Sequence, residues 1–132
     1  MSVYQLNIGF RQTPGDLEGL LLAWGFRFNQ EIAYLAEPTI GDIARVSGID
    51  HEEIRVYDWM VGDTKTIEAR YSPTIEDGEH PFRRIDPEIS SELNLEIWDM
   101  VYREDMFAIA RAVRDKYHAI LHDANSGRVI RD

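Results

Sequence analysis

Alternation of apolar and polar residues predicts several strands along the chain. From Val3 to Phe10, apolar side chains alternate with Gln5 and Asn7, and this period of two is typical of a half-buried strand. The same alternation predicts a strand over residues 92–98. The remaining predicted strands are 54–60, 66–71, 119–121 and 129–130, of which the first two form a hairpin and the last two flank a turn.

Helical spacing predicts helices between these strands. One helix begins near Pro14 and extends to about residue 36, unless Gly25 ends it. A short apolar stripe before Gly48 predicts a second helix, and residues 102–117 form the clearest amphipathic pattern. The apolar face of the first helix consists of Leu17, Leu20, Leu21, Trp24 and Phe28, so we expect Trp24 and Phe28 in the core.

The order of these elements predicts a single α+β domain over residues 1–132. We expect a mixed or antiparallel sheet of about five to six strands, with two or three helices packed on one face. The strands before and after the last helix are expected side by side. Residues 72–90, which contain three prolines and an acidic run, are predicted to form a long loop.

Composition narrows the class of protein. The chain has 132 residues, 44% hydrophobic and 29% charged, which is ordinary for a globular protein. It contains no cysteine, so disulfides, thiolate zinc sites and cysteine nucleophiles are excluded. No apolar run approaches the length of a membrane-spanning helix, and no basic segment precedes an apolar one at the N-terminus. We therefore expect a cytoplasmic protein that does not contact a membrane.

The acidic charge is concentrated in the middle of the sequence. The net charge is −10, and residues 37–100 contain sixteen acidic side chains against six basic ones. Such a field repels phosphate backbones, so nucleic-acid binding is disfavoured. It attracts cationic surfaces and accelerates association with them. Solubility alone also accounts for an acidic surface, and this second interpretation stays open.

The leading hypothesis is a small binding module for a basic protein. It would be an immunity-type or antitoxin inhibitor in a bacterium, where it occludes a toxin or effector domain. Trp59 and Trp98 would lie with Tyr57 on an outer sheet face as anchors, unless helices cover both faces. The candidate partner-binding residues are Tyr57, Asp58, Trp59, Asp63, Glu76, Asp77, Glu79 and Trp98.

A second hypothesis is based on one stretch of the sequence. Ile40, Gly41, Ile43, Ala44, Ser47, Gly48, Ile49, Ile54, Arg55 and Tyr57 follow the spacing of a helix-turn-helix. In this spacing, residues 39–58 resemble the DNA-binding motif of MerR-type transcription regulators. The resemblance implies a helix that begins near Asp50 and presents Arg55 to DNA. The alternative is a short helix followed by a strand, and the two interpretations differ over residues 53–57.

A third hypothesis is a small enzyme or metal protein that uses His118 and His122. Histidines four residues apart can share one face of an element and bind one ion, with Asp99, Glu96 or His80 as a third ligand. Two polar side chains on a wet strand face are the alternative. The sequence contains neither a nucleophile-elbow motif nor a phosphate-binding glycine loop. We therefore predict no catalytic residues, no cofactor and no metal in the leading hypothesis.

Overall fold

A computed structural model describes residues 2–33, 53–75 and 81–132 of the chain. The strands in these ranges are β1 (Tyr4–Phe10), β2 (Phe26–Ala33), β3 (Glu53–Val61), β4 (Thr64–Ser72), β5 (Ser91–Ile97), β6 (Ile120–Asp123) and β7 (Arg128–Ile130). The helices there are α1 (Leu17–Trp24), α2 (Pro81–Ile85) and α3 (Arg103–Tyr117), and a 3₁₀ turn (Met100–Tyr102) precedes α3. The α+β class is confirmed.

Within the described ranges, seven strands form one antiparallel sheet in the order β2-β3-β4-β5-β1-β6-β7. The number of strands therefore exceeds the prediction. The β3–β4 hairpin is confirmed, with Gly62 and Asp63 as its two connecting residues. The prediction that β5 and β6 are neighbours is wrong, because β1 lies between them and pairs with both. Helix α3 crosses β1 and contacts all three strands.

The main core lies between one face of this sheet and helices α1 and α3. We call this face the helix face. Leu6, Ile8 and Phe10 of β1 point to it because side chains alternate along a strand. The helices contribute Leu17, Leu21, Met106, Phe107, Ile109, Ala110 and Val113 to the same cluster. Burial of these apolar side chains is the main favourable contribution to folding.

A smaller apolar cluster packs on the opposite face of the sheet, which we call the second face. It consists of Ile75, Phe82 and Ile89, with Ile120 at its margin. Gly9 of β1 lies beneath it, and a Cβ atom at Gly9 would stand 2.9 Å from Ile89 Cδ1. Helix α2, which contributes Phe82, therefore packs opposite α1 and α3. The predictions of helices on one face and of a loop throughout residues 72–90 are wrong in this respect.

Of the two predicted ends of the first helix, the structure has the earlier one at Gly25 and not the one near residue 36. The helix ends at Gly25, which adopts a left-handed conformation with φ of 105° and donates its amide hydrogen to Leu22 O. The chain then enters β2 and pairs with β3. The predicted core positions of Trp24 and Phe28 are wrong, since both side chains are exposed. Phe26 is the residue of this stretch that enters the core.

Candidate protein-interaction surface

One end of the sheet collects four of the nine large apolar side chains that are exposed in the described residues. At this end β3 turns into β4, β5 finishes, and the 3₁₀ turn leads into α3. Val61 pairs with Thr64 across the hairpin, and Ile67 of β4 pairs with Ile97 of β5. The chain adjacent to these pairs exposes Val61, Trp98, Met100 and Val101. We call these four residues and the acids around them the hairpin-end surface.

The apolar centre of the hairpin-end surface is unusually open for side chains of this type. Val101 is 69% exposed, Met100 is 49% exposed and Trp98 is 38% exposed. Their positions follow from the short 3₁₀ turn, which Asp99 caps by accepting a hydrogen bond from Val101 N at 3.0 Å. Because this turn leaves the sheet before α3 begins, the apolar residues Met100 and Val101 project away from the core.

Four exposed carboxylates lie on the same segments of the chain as this apolar centre. Asp63 lies at the tip of the hairpin, Asp99 begins the 3₁₀ turn, and Glu104 and Asp105 occupy the first turn of α3. Within the described residues, none of these four side chains forms an ion pair. Carboxylates at the start of α3 also interact favourably with its helix dipole. The surface therefore combines apolar contact area with carboxylates that form no ion pair in the described part of the chain.

The indole of Trp59 supports this end of the molecule from the helix face. Its Nε1 donates a hydrogen bond to Trp24 O at 3.1 Å, and its ring packs edge-on against Tyr102 with centroids 6.4 Å apart. Trp59 is half-buried, so it contributes less accessible area than Trp98. These contacts connect strand β3 to the end of α1 and to the 3₁₀ turn.

On the second face, Trp98 lies beside a row of carboxylates. Asp58, Glu68 and Glu96 occupy directly opposed positions on β3, β4 and β5. Like charges in such positions destabilise a sheet unless cations compensate them. The Lys65 ammonium lies 3.1 Å from Glu68 Oε1 and 5.0 Å from the centroid of the Trp98 ring. Lys65 therefore links the carboxylate row to the exposed indole.

The prediction that Tyr57 and Trp59 share an outer sheet face with Trp98 is wrong, because Tyr57 and Trp59 both lie on the helix face. Tyr57 is 2% exposed on the helix face, and its phenol donates a 2.6 Å hydrogen bond to Glu18 Oε2 of α1. Arg55 donates to the same carboxylate oxygen at 2.8 Å and also binds Glu31. The hydrogen bonds from Tyr57 and Arg55 lower the pKa of Glu18. Burial, together with the bond to Glu18, raises the pKa of Tyr57.

The other predicted partner-binding residues are distributed unevenly. Asp63 and Trp98 belong to the hairpin-end surface, and Trp59 supports it. Asp58 is half-buried on the second face, where its Oδ2 accepts a 2.7 Å hydrogen bond from Asn29. Glu76, Asp77 and Glu79 lie outside the described residues. The structure thus brings part of the predicted set to one end of the sheet.

Over residues 53–58, the helix predicted from the resemblance to MerR-type regulators does not form. Residues 53–58 belong to strand β3, in which Arg55 pairs with Glu31 and Tyr71. Its guanidinium is held over the Phe28 ring, 4.5 Å from the centroid. Residues 39–52 lie outside the described residues, as does the short helix predicted before Gly48. The strand interpretation is therefore the one the structure supports for residues 53–57.

In the described part of the chain, no set of side chains comes together with His118 and His122 to bind a metal ion. His118 is exposed at the C-terminal end of α3, whereas His122 is buried on the second face of β6. Among the described residues, no group of three or more His, Asp or Glu side chains is placed to hold a metal ion. His80, one of the suggested third ligands, lies outside those residues.

Sequence reasoning missed Val61, Met100, Val101 and Lys65 as parts of the candidate surface. A usable signal was present, because Met100 and Val101 are consecutive apolar residues in a short connection between a strand and a helix. Connections are normally polar, so an apolar pair at such a place indicates contact with something else.

Comparisons with known proteins identify no relative of this chain. The chain matches no protein-family model, and searches of curated proteins and of solved structures return no significant match. None of the helices in the described ranges has the length and apolarity that crossing a membrane requires. The cytoplasmic location stays a prediction.

Proposed function

We propose that the protein is a binding module for a basic protein partner and that the hairpin-end surface is its docking site. The observation that carries this proposal is the juxtaposition of four exposed apolar residues with four unpaired carboxylates at one end of the sheet. An apolar centre within a charged rim is the common arrangement of protein–protein interfaces. Tryptophan is also enriched among the residues that contribute most to binding energy.

Charge determines which kind of partner fits. The chain has a net charge of −10, and the rim acids Asp63, Asp99, Glu104 and Asp105 form no ion pair within the described residues, although Arg103 is adjacent to Glu104 in sequence. An approaching anionic surface would be repelled, whereas a cationic one is attracted over a distance of about 10 Å at moderate salt. A basic partner therefore gains both encounter rate and specificity.

An immunity-type or antitoxin role is the more specific form of this proposal. A toxin or effector domain that acts on an anionic substrate presents a cationic cleft, and the rim carboxylates would occupy the positions of substrate charges. The apolar centre would slow dissociation, because buried Trp98 and Val101 must be re-exposed to water before the complex separates. The inhibitor would act by covering the cleft, so it needs no chemistry of its own.

The experiment has a capture step and a kinetic step. A photo-crosslinking amino acid replaces Val101 in the full-length protein, and a matched variant carries it at Ile85, an exposed apolar residue near the other end of the sheet. We expect a basic protein to be crosslinked in source cells from position 101 and not from position 85. Equal crosslinking from both positions, or capture of an acidic protein, would overturn the proposal.

The kinetic step uses the captured protein in purified form. Asp63→Lys/Glu104→Lys should lower the association rate about tenfold at low ionic strength, and added salt should abolish most of this difference. Glu88→Lys/Asp132→Lys makes the same charge change near the opposite end of the sheet and should have a much smaller effect. An association rate that is indifferent to salt and to the first pair would refute electrostatic docking. Self-association that Trp98→Leu removes would assign the surface to a second copy instead.

A further inference from the structure

Lys65 occupies a place that a cation of another protein could take. Its ammonium lies between the Glu68 carboxylate, at 3.1 Å, and the Trp98 ring, 5.0 Å from the centroid. A carboxylate and an aromatic face are the two groups that attract a cation most strongly at a protein surface. More than a third of the Trp98 side chain is exposed. The Trp98 ring is therefore accessible from outside the molecule, whereas the Glu68 side chain is only 12% exposed while Lys65 is in place.

The surrounding charges favour cations at this position. Glu68 is flanked by Asp58 and Glu96 on the adjacent strands. Its cationic neighbours are Lys65 and Arg70, and the Arg70 guanidinium is the more distant, at 3.5 Å. If Lys65 moved away, the carboxylate row would lose its closest compensating charge. A cation from a partner would then restore the charge balance of the row.

We propose that the Trp98 ring and the Glu68 carboxylate form a receptor for an arginine side chain of the partner, and that Lys65 is its internal competitor. This inference rests on the proposed function and names the chemistry of one contact within it. Arginine fits better than lysine because its planar guanidinium stacks on an indole while its N–H groups bind a carboxylate. Lys65 is a flexible single-point cation and can leave without unfolding any element.

If Lys65 competes with the partner's arginine, its substitution should strengthen binding and not weaken it. Lys65→Gln removes the occupant while keeping a side chain of similar length, so it should tighten the binding of an arginine peptide about 2- to 5-fold. Arg128→Gln removes the same charge from the distant strand β7 and serves as the matched control. Trp98→Leu should remove most of the binding, because it deletes the aromatic face.

The test is an NMR titration of the ¹⁵N-labelled full chain at low ionic strength. The probe is an acetylated tetra-arginine amide, and a tetra-lysine peptide of the same design is the comparison. We expect the Trp98 indole N–H resonance to shift with the tetra-arginine peptide, more weakly with tetra-lysine, and with higher affinity in Lys65→Gln. The Trp98→Leu spectrum identifies the resonance, and thermal unfolding confirms that each variant is folded.

Three results would overturn the receptor. The first is a Trp98 indole resonance that does not shift when the tetra-arginine peptide is added. The second is an equal affinity for the tetra-arginine and tetra-lysine peptides. The third is that Lys65→Gln changes the affinity for tetra-arginine no more than Arg128→Gln does. None of these results would contradict the proposed function itself. That proposal is tested by the crosslinking from position 101 and by the salt dependence of the association rate. The two proposals therefore fail separately.

Discussion

Replacement of Gly25 by alanine tests how α1 is joined to the sheet. Gly25 ends the helix with φ of 105°, and an added Cβ would lie 3.0 Å from Trp59 Nε1. That nitrogen donates its hydrogen bond to Trp24 O. The substitution therefore combines two costs, one from the backbone conformation and one from the displaced indole.

The two contributions can be estimated separately. A side chain in the left-handed region costs about 1–2 kcal/mol, and the net value of a typical hydrogen bond is about 1 kcal/mol. We expect Gly25→Ala to lower the free energy of unfolding by about 2–3 kcal/mol. Gly62→Ala is the matched control, because Gly62 also has positive φ (62°) but no atom lies within 4 Å of its added Cβ. It should cost only the conformational part.

Urea unfolding followed by far-UV circular dichroism measures both values. A loss of 2–3 kcal/mol corresponds to a midpoint lower by about 1 M urea or slightly more. In a Trp59→Phe background, where no indole is present, Gly25→Ala should cost about 1 kcal/mol less than in the wild type. If the cost of Gly25→Ala is the same with and without the Trp59 indole, the contact has no energetic role and the reasoning is refuted.

Three further substitutions test other parts of the fold. Gly9→Ala should lower stability by about 1–3 kcal/mol by overpacking the cluster on the second face, whereas Gly15→Ala, with open space around its Cβ, should change little in the same urea assay. Burial disfavours the ionised form of Asp123, but hydrogen bonds from Tyr4 and two backbone amides outweigh this effect and lower the pKa of Asp123. Ionised Asp123 therefore stabilises the fold at pH values above the ordinary carboxyl pKa of about 3.9. The stability gap between wild type and Asp123→Asn should therefore shrink as the pH falls below about 4, and a gap that stays constant there would contradict the assignment. His118→Gly should raise stability by up to about 1 kcal/mol, because His118 ends α3 with φ of 51°; a lower melting temperature would contradict this.

Local patterns were sufficient to predict most elements of the described chain. The alternation in β1 and β5, the two-residue hairpin connection and the periodicity of α3 depend on residues close in sequence. Strand β2 was missed because Phe28 continues the helical spacing of α1, and the sequence alone leaves open whether Gly25 interrupts or ends a helix. The position of β1 between β5 and β6 was also missed, since strand order depends on pairing between distant segments.

The candidate surface was only partly predictable for a similar reason. Trp98 and Asp63 lie beside or within connections, where exposure is the normal expectation. Tyr57 is a strand residue whose exposure depends on what covers that face, and α1 covers it through Glu18. Alternation along β3 separates its two faces but does not indicate which one a helix will cover. Whether Val101 is exposed depends on the path of the chain after β5, which the sequence pattern does not indicate.

The central position of β1 also affects how the molecule forms during translation. β1 is synthesised before every other described strand, yet its partners are β5 and β6, near the other end of the sequence. At about 5–20 residues per second, roughly 6–24 seconds separate the emergence of β1 from that of β6. The β3–β4 hairpin can assemble before β5 emerges, while both edges of β1 stay open. A chaperone that binds nascent extended segments would therefore find its target at residues 4–10.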